Sequence, residues 1–354
     1  VPRSSISSSE AKLIALVRNA AIVLALVIGG LLGLEWVMRQ QAVQAALPQP
    51  ERYLWHADNI QAKLDGLARL DQARGVDVLF LGNSTALSGL DPTTFDEARL
   101  HDTGPAAYNG ALEGIPASAA RTFAQVYTRR ARPDMIIYAV TPQDLNPNSP
   151  TGRDVADRVR HSGMVAAATQ DDAYGQLMHW LVDHSALFRY RPVLHALAVG
   201  GGQLAPLPGI YFDERGWVSD KKRLSEVPPA DRARLLNKDG VWDYTPIGEQ
   251  AVALAGMIAD LKQQGIRLVL VNMPVSEGYL ANFDHPEDYQ HYLTELSQLS
   301  KVGDVPLWDM ASPHEDVVFE EADFADLIHL NRFGAAKLSA ALARRWQALE
   351  SVQP

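Results

Sequence analysis

The stretch Val76-Asp77-Val78-Leu79-Phe80-Leu81-Gly82-Asn83-Ser84-Thr85 decides how the chain is read. Val78 to Leu81 is a continuous apolar run, the pattern of a central strand in a parallel sheet covered on both faces. Gly82 lets the backbone turn without a side-chain clash. The polar residues that follow fall at the carboxyl end of the strand, where open α/β sheets place their ligands. Ser84 there presents its hydroxyl at the start of the next helix, beside backbone N–H groups. The same Asn-Ser pair also reads as a plain helix cap.

Strand and helix alternate outward from this stretch. Helical spacing over 57–73 leads into it. Leu87 and Leu90 recur at helical spacing after it, and Asp91-Pro92 ends or restarts a helix. Residues 103–110 read as a short second strand with its turn, 115–130 as a helix, and 135–140 as a third buried strand. Farther on come a helix over 245–264, with Pro246 near its start and Gly265 after its end, a strand over 266–271 and a helix over 286–299. A short strand over 305–308 and a closing helix over 331–349 complete the pattern. The alternation predicts a doubly wound parallel α/β sheet of about five strands. Residues 146–243 break the rhythm and read as an insertion, a lid or an acceptor-binding subregion, with one apolar helical stretch around 177–197. Its Trp180, Tyr190, Tyr211, Trp217 and Trp242, with Tyr244 just beyond, are candidates for stacking on sugar rings or for ordinary core and rim positions.

Composition bounds the function. The 354 residues leave room for one large or two ordinary domains. A net charge of −10 argues against a nucleic-acid binder. With no cysteine, a disulfide scaffold, a thiolate zinc site and a cysteine nucleophile are excluded. His179, His184 and His195 lack the i, i+4 spacing that puts two metal ligands on one helix face, so no metal or cofactor is expected.

Residues 13–38 are the most apolar of the chain, and 19–34 hold no charge. A helix there is long enough to cross roughly 30 Å of hydrocarbon. Trp36 stands where an interfacial aromatic belongs, and Arg3, Lys12 and Arg18 before the span favour a cytoplasmic N-terminus. Gly29 and Gly33 form a small-xxx-small pair suited to packing on another membrane helix. The rival is a signal peptide cut near residues 42–45. The expected layout is a cytoplasmic segment or tag remnant at 1–10, an anchor at 11–39, a linker at 40–56 and a catalytic domain at 57–354.

A serine at a strand-end turn needs a base, and the base needs an orienting partner. The segment Phe324-Ala325-Asp326-Leu327-Ile328-His329-Leu330-Asn331 lies between the last strand and the last helix, on a loop that returns to the carboxyl edge of the sheet. At this spacing Asp326 can accept the Nδ1–H of His329 and leave Nε2 facing Ser84. A capping aspartate and a surface histidine would look the same.

Gly82-Asn83-Ser84 and Asp326-Leu327-Ile328-His329 resemble the first and last blocks of the SGNH (GDSL-like) hydrolase superfamily. The turn Tyr108-Asn109-Gly110-Ala111-Leu112 is similar to its second block. The resemblance implies a flavodoxin-like three-layer α/β/α fold and a triad of Ser84, His329 and Asp326. It also implies an oxyanion hole built from the Ser84 and Gly110 N–H groups. The usual third block, Gly-x-Asn-Asp, is missing; Thr141-Pro142-Gln143-Asp144-Leu145 follows the third strand instead. A replacement side-chain amide is expected from Asn109 first, with Asn83 and Gln143 as the alternatives.

Anchor and blocks together look like the extracytoplasmic SGNH proteins of bacterial surface-polymer acylation, such as those of alginate and peptidoglycan O-acetylation and teichoic-acid D-alanylation. That resemblance implies a single-pass protein of the inner membrane with a periplasmic catalytic domain. It implies an O-acyltransferase acting on a polysaccharide beside a multi-pass membrane-bound O-acyltransferase. An anchored esterase with the same triad and a non-catalytic scaffold or glycan-binding subunit are the alternatives.

Overall fold

The apolar runs form one parallel sheet of β1 (Val76–Gly82), β2 (Ala106–Asn109), β3 (Met135–Val140), β4 (Arg267–Asn272) and β5 (Leu307–Asp309), in the order β2-β1-β3-β4-β5. The structure is a computed structural model and describes residues 8–47, 57–99, 104–160, 165, 173–199, 212–235, 241–311 and 317–352. It divides into two units, residues 1–54 with 170–206 and residues 55–169 with 207–354.

In the sheet unit, alternate strand residues point to opposite faces. Leu79, Leu81, Ile136, Tyr138, Leu268 and Leu270 enter one core, covered by the helices Ala57–Arg74, Ala117–Arg130, Glu249–Gln263 and Asp288–Gly303. Val78, Phe80, Ile137, Ala139, Val269 and Val271 enter the other, covered by Ser84–Gly89, Pro92–Ala98 and Arg332–Val352. Each buried Val, Leu, Ile or Phe among them contributes about 1.5–3 kcal/mol. This is the three-layer α/β/α architecture expected, with the strand order of flavodoxin-like folds. Its switch point, where connections leave in opposite directions, lies between β1 and β3. The third strand matches its predicted span, while the helix expected over 286–299 starts at Asp288 and runs to Gly303.

The other unit corrects the expected layout. The helix Ser8–Met38 carries a span, Leu16–Met38, of mean hydropathy 2.2 that is long and apolar enough to cross a membrane. The helices Gln41–Ala46, Ala173–His184, Ala186–Arg189 and Arg191–Val199 belong with it. Met38, Tyr190 and Val193 are buried together, with Val43, Leu47, Leu187, Leu194 and Leu197 packed around them. Residues 40–47 are therefore not linker, and the insertion is not one piece. Residues 173–199 fold onto the N-terminal helix, whereas Pro150–Arg160 and residues 212–235 join the sheet unit. The physical reason is an apolar face on Arg191–Val199 that packs on Met38, Val43 and Leu47. Residues 1–7 of the expected 1–10 segment, residues 48–56 and Tyr211 lie outside the described residues, and residues 8–10 belong to the first helix.

Candidate active site

β1 ends at Gly82, whose φ of 150° suits glycine alone. A Cβ there would stand 2.7 Å from the Ala139 carbonyl oxygen and 2.7 Å from the Ala86 Cβ. Ser84 is thus the first residue of a short buried helix, Ser84–Gly89, capped by Asn83, whose Oδ1 accepts the Thr85 N–H at 2.8 Å. Asn83 also ties this turn to the end of β3. Its Nδ2 donates to Thr141 Oγ1 at 3.0 Å and to Asp144 Oδ2 at 2.8 Å. Asp144 further accepts from the Thr141 N–H at 2.8 Å, the Thr141 hydroxyl at 2.6 Å and the Tyr138 hydroxyl at 3.3 Å. Burial pushes the Asp144 carboxyl up to about 7 against the pull of these donors.

The loop before the last helix meets Ser84 from the other side. It is held by an antiparallel bridge between Phe324 and Leu330 and by the Ser276 hydroxyl, which donates to the Leu327 carbonyl at 2.7 Å. Asp326 Oδ1 accepts the N–H groups of Ile328 and His329 at 2.9 and 2.8 Å. Its Oδ2 lies 2.8 Å from His329 Nδ1, and His329 Nε2 lies 2.8 Å from Ser84 Oγ. A carboxylate has no proton to give, so Nδ1 carries the hydrogen and Nε2 accepts the serine hydroxyl. Burial raises the Asp326 carboxyl, but the hydrogen bonds from His329 and Ile328 reverse this and hold it below the usual range. The side chains of Asp326 and His329 are each 29% exposed, so small molecules reach them. Glu113 also acts electrostatically on His329; burial holds its carboxyl above the ordinary value, with His329 pulling it back.

Two of the expected oxyanion donors, Gly110 and Asn109, are committed elsewhere. The Gly110 N–H donates to the Phe80 carbonyl at 2.9 Å and so extends the sheet. The Asn109 amide, fully buried, donates to the carbonyls of Ala86 at 2.9 Å and Leu90 at 2.8 Å, while its oxygen accepts the Ala111 N–H at 3.0 Å. Asn109 is a clamp on the Ser84 helix. Asn83 is equally committed. The Ser84 N–H, in the first helical turn, has no intrahelical acceptor. Gln143, half-buried in the helix Pro142–Leu145 at the end of β3, has no hydrogen-bond partner for its amide among the described residues.

Sequence reasoning missed Asp144 and Lys63. Asp144 carried a signal, the Thr-x-x-Asp spacing of a capping pair just past a strand. Lys63 carried none. It is 1% exposed, and its Nζ donates to the carbonyls of Asn109 at 2.8 Å and Gly216 at 2.7 Å, bolting residues 212–218 to the end of β2. Of the candidate stacking residues, Tyr190 is buried and Trp180 also sits in the N-terminal unit. Trp217 donates from Nε1 to the Ser88 carbonyl at 2.8 Å, and Tyr244 packs edge-on to Phe283 with ring centroids 5.3 Å apart. Trp242 remains 51% exposed.

No family model and no curated protein matches the chain. Among solved structures it is similar to an acetylxylan esterase from Geobacillus stearothermophilus, at 13% identity and a TM-score of 0.38 over 77% of this chain and 94% of that one. It is similar to a GDSL-like lipase from Bacteroides thetaiotaomicron, at 11% identity and a TM-score of 0.37 over 81% and 98% of the two chains. A lipase/acylhydrolase from Enterococcus faecalis gives 9% identity and a TM-score of 0.37 over 77% and 96%.

Proposed function

We propose that the chain is a serine-dependent O-acyl transfer enzyme that forms an ester on Ser84 and passes the acyl group, acetyl in the first instance, to a hydroxyl of an extracytoplasmic polysaccharide. The observation that carries this reading is the unbroken chain from Asp326 Oδ2 to His329 Nδ1 at 2.8 Å and from His329 Nε2 to Ser84 Oγ at 2.8 Å. His329 takes the Ser84 proton as Oγ attacks the acyl carbonyl, then gives it to the departing group. The acceptor hydroxyl next yields its proton to His329 and attacks the acyl carbon, and the serine oxygen leaves with that proton. Asp326 fixes the tautomer and offsets the imidazolium charge in both halves. The Ser84 N–H and the Gln143 amide serve the developing oxyanion.

Transfer to a glycan, rather than to water, is supported by the apolar N-terminal helix, read as a retained membrane anchor, and by the resemblance to surface-polymer acylation proteins. On this reading the acyl group reaches the catalytic unit from a multi-pass membrane-bound O-acyltransferase, and that unit lies in the periplasm. The exposure of His329 favours a second reading, an anchored esterase with water as acceptor.

The deciding experiment gives the protein and its Ser84→Ala variant an activated acetyl ester, with and without oligosaccharides, and follows protein and sugars by mass spectrometry. Ser84-dependent acetyl-sugar is the expected product. Acetate release that ignores the sugars would select the esterase. If neither acyl-enzyme nor turnover appears even with the membrane partner present, the chain is a scaffold.

A further inference from the structure

The N-terminal unit holds a carboxylate that the proposed chemistry does not use. Glu35 lies in the last turn of the apolar span, where an ionisable group is costly unless it is paired or reaches water. It accepts the backbone N–H groups of Ala186 and Leu187 at 2.9 Å each, the Ser185 hydroxyl at 2.8 Å and the Nε–H of Arg39 at 2.7 Å. Arg39 in turn donates from Nη2 to the His184 carbonyl at 2.6 Å. Glu35 therefore caps the helix Ala186–Arg189 from another helix, and residues 184–187 are fixed at the level of the end of the span. Met38, packed with Tyr190 and Val193, closes the same joint from the apolar side.

The preceding helix, Ala173–His184, presents large apolar surface to the outside. Leu177 and Trp180, one turn apart on one face, are 50% and 54% exposed. The Trp180 ring stacks on His184 with centroids 5.0 Å apart and planes 13° from parallel. Trp180 stands about 6 Å along the helix from His184 at 1.5 Å per residue. The headgroup layer flanking the hydrocarbon is roughly 5–8 Å deep on each side. A helix that leaves this joint along the bilayer surface keeps both Trp180 and Leu177 within that layer, where indole rings partition.

We infer that the helix Ala173–His184 is a membrane-surface element, with Leu177 and Trp180 seated in the lipid headgroup layer and Glu35 clipping it to the anchor. The inference rests on reading Ser8–Met38 as a retained anchor. Its occupant is lipid because the joint is continuous with the apolar span, which sets the level of the bilayer surface beside it.

The absence of cysteine lets one introduced thiol report one place. Spin labels at Leu177→Cys, at Leu26→Cys within the span and at Val302→Cys, 89% exposed in the sheet unit, are measured on the full chain in vesicles of phosphatidylcholine and phosphatidylglycerol. The Leu177 label is expected to lose most of its collisions with an aqueous nickel chelate relative to Val302, and to be broadened by doxyl-labelled lipid. Adding Glu35→Ala is expected to return it towards the Val302 value while Leu26 stays in lipid; no change would remove Glu35 from its role. A Leu177 label as open to nickel as Val302, with Leu26 buried, overturns the membrane-surface element and leaves the anchor standing. Both labels open to nickel would sink the anchor and the inference together. A Leu177 label hidden from nickel but untouched by doxyl lipid means that protein, such as a second copy, covers it, and this too overturns the proposal.

Discussion

Asn109 and Gln143 carry the same amide, but only that of Asn109 is committed to hydrogen bonds among the described residues. Asn109 holds three backbone groups of the serine loop and its own turn, so Asn109→Ala removes a donor from two buried carbonyls and should cost about 1–3 kcal/mol of stability. Gln143→Ala should leave the melting temperature unchanged and lower kcat by about 10²–10³ if its amide serves the oxyanion. Paired thermal melts and ester kinetics test this; a Gln143→Ala enzyme of full activity would remove the residue from the site. Asp144 makes a separate prediction. Its folded carboxyl titrates near 7, above the unfolded value, so the native state binds the extra proton between about pH 4 and 7. Its contribution is fullest below that window and declines as pH rises, by at most about 1.4 kcal/mol per pH unit. Asp326, lowered, works the other way and loses its contribution only in acid below the usual carboxylate range. Denaturant titrations across pH should find a shallower fall in Asp144→Asn; identical slopes would contradict the assignment. Ser84, Asp326 and His329 were legible because each sits next to backbone punctuation, a strand end or a helix start. The fate of Asn109 was not, because its acceptors are carbonyls, and every residue type carries one.

At the scale of the elements, one buried cation ties several together. Arg99, at the end of the helix Pro92–Ala98, is 2% exposed and forks onto both oxygens of Asp77 in β1 at 2.8 Å each. It also donates to Asp96 at 3.0 Å and to the Pro105 carbonyl ahead of β2 at 2.9 Å. Asp96 accepts the Ala107 N–H at 3.2 Å and pairs with Arg215 as well. Helix, two strands and the 212–235 part of the insertion meet in this cluster. Arg99→Met strands Asp77, while Asp96 keeps Arg215, and should cost about 3–5 kcal/mol, seen as a lower denaturation midpoint. A loss under 1 kcal/mol would mean that water replaces the guanidinium. The strands themselves were readable from apolar runs, since a strand buried on both faces shows one. The fate of residues 146–243 was not, because their pieces take different partners, residues 35–47 for 173–199 but Lys63, Ser88, Asp96 and Glu321 for 212–235.

At the scale of the whole molecule, the decisive choice is between a retained helix and a cleaved leader. Composition alone leaves both open. The structure makes the end of the span part of a fold, with Met38 buried at 5% exposure and Glu35 bonded to residues 185–187. Cleavage near residues 42–45 would discard both. The mature protein should therefore keep its span and resist extraction from membranes at high pH. A mature N-terminus beyond residue 45 would refute this. The buried amine of Lys63 has a consequence of another kind. Burial holds it well below the usual lysine range, yet acylating reagents cannot reach it while its two carbonyls and the Phe212 ring, 5.1 Å away, enclose it. Its chemical modification therefore becomes a clock for the opening of the sheet edge beside the nucleophile. An amine reagent, read peptide by peptide, would time that opening in an inactive variant as readily as in the working enzyme.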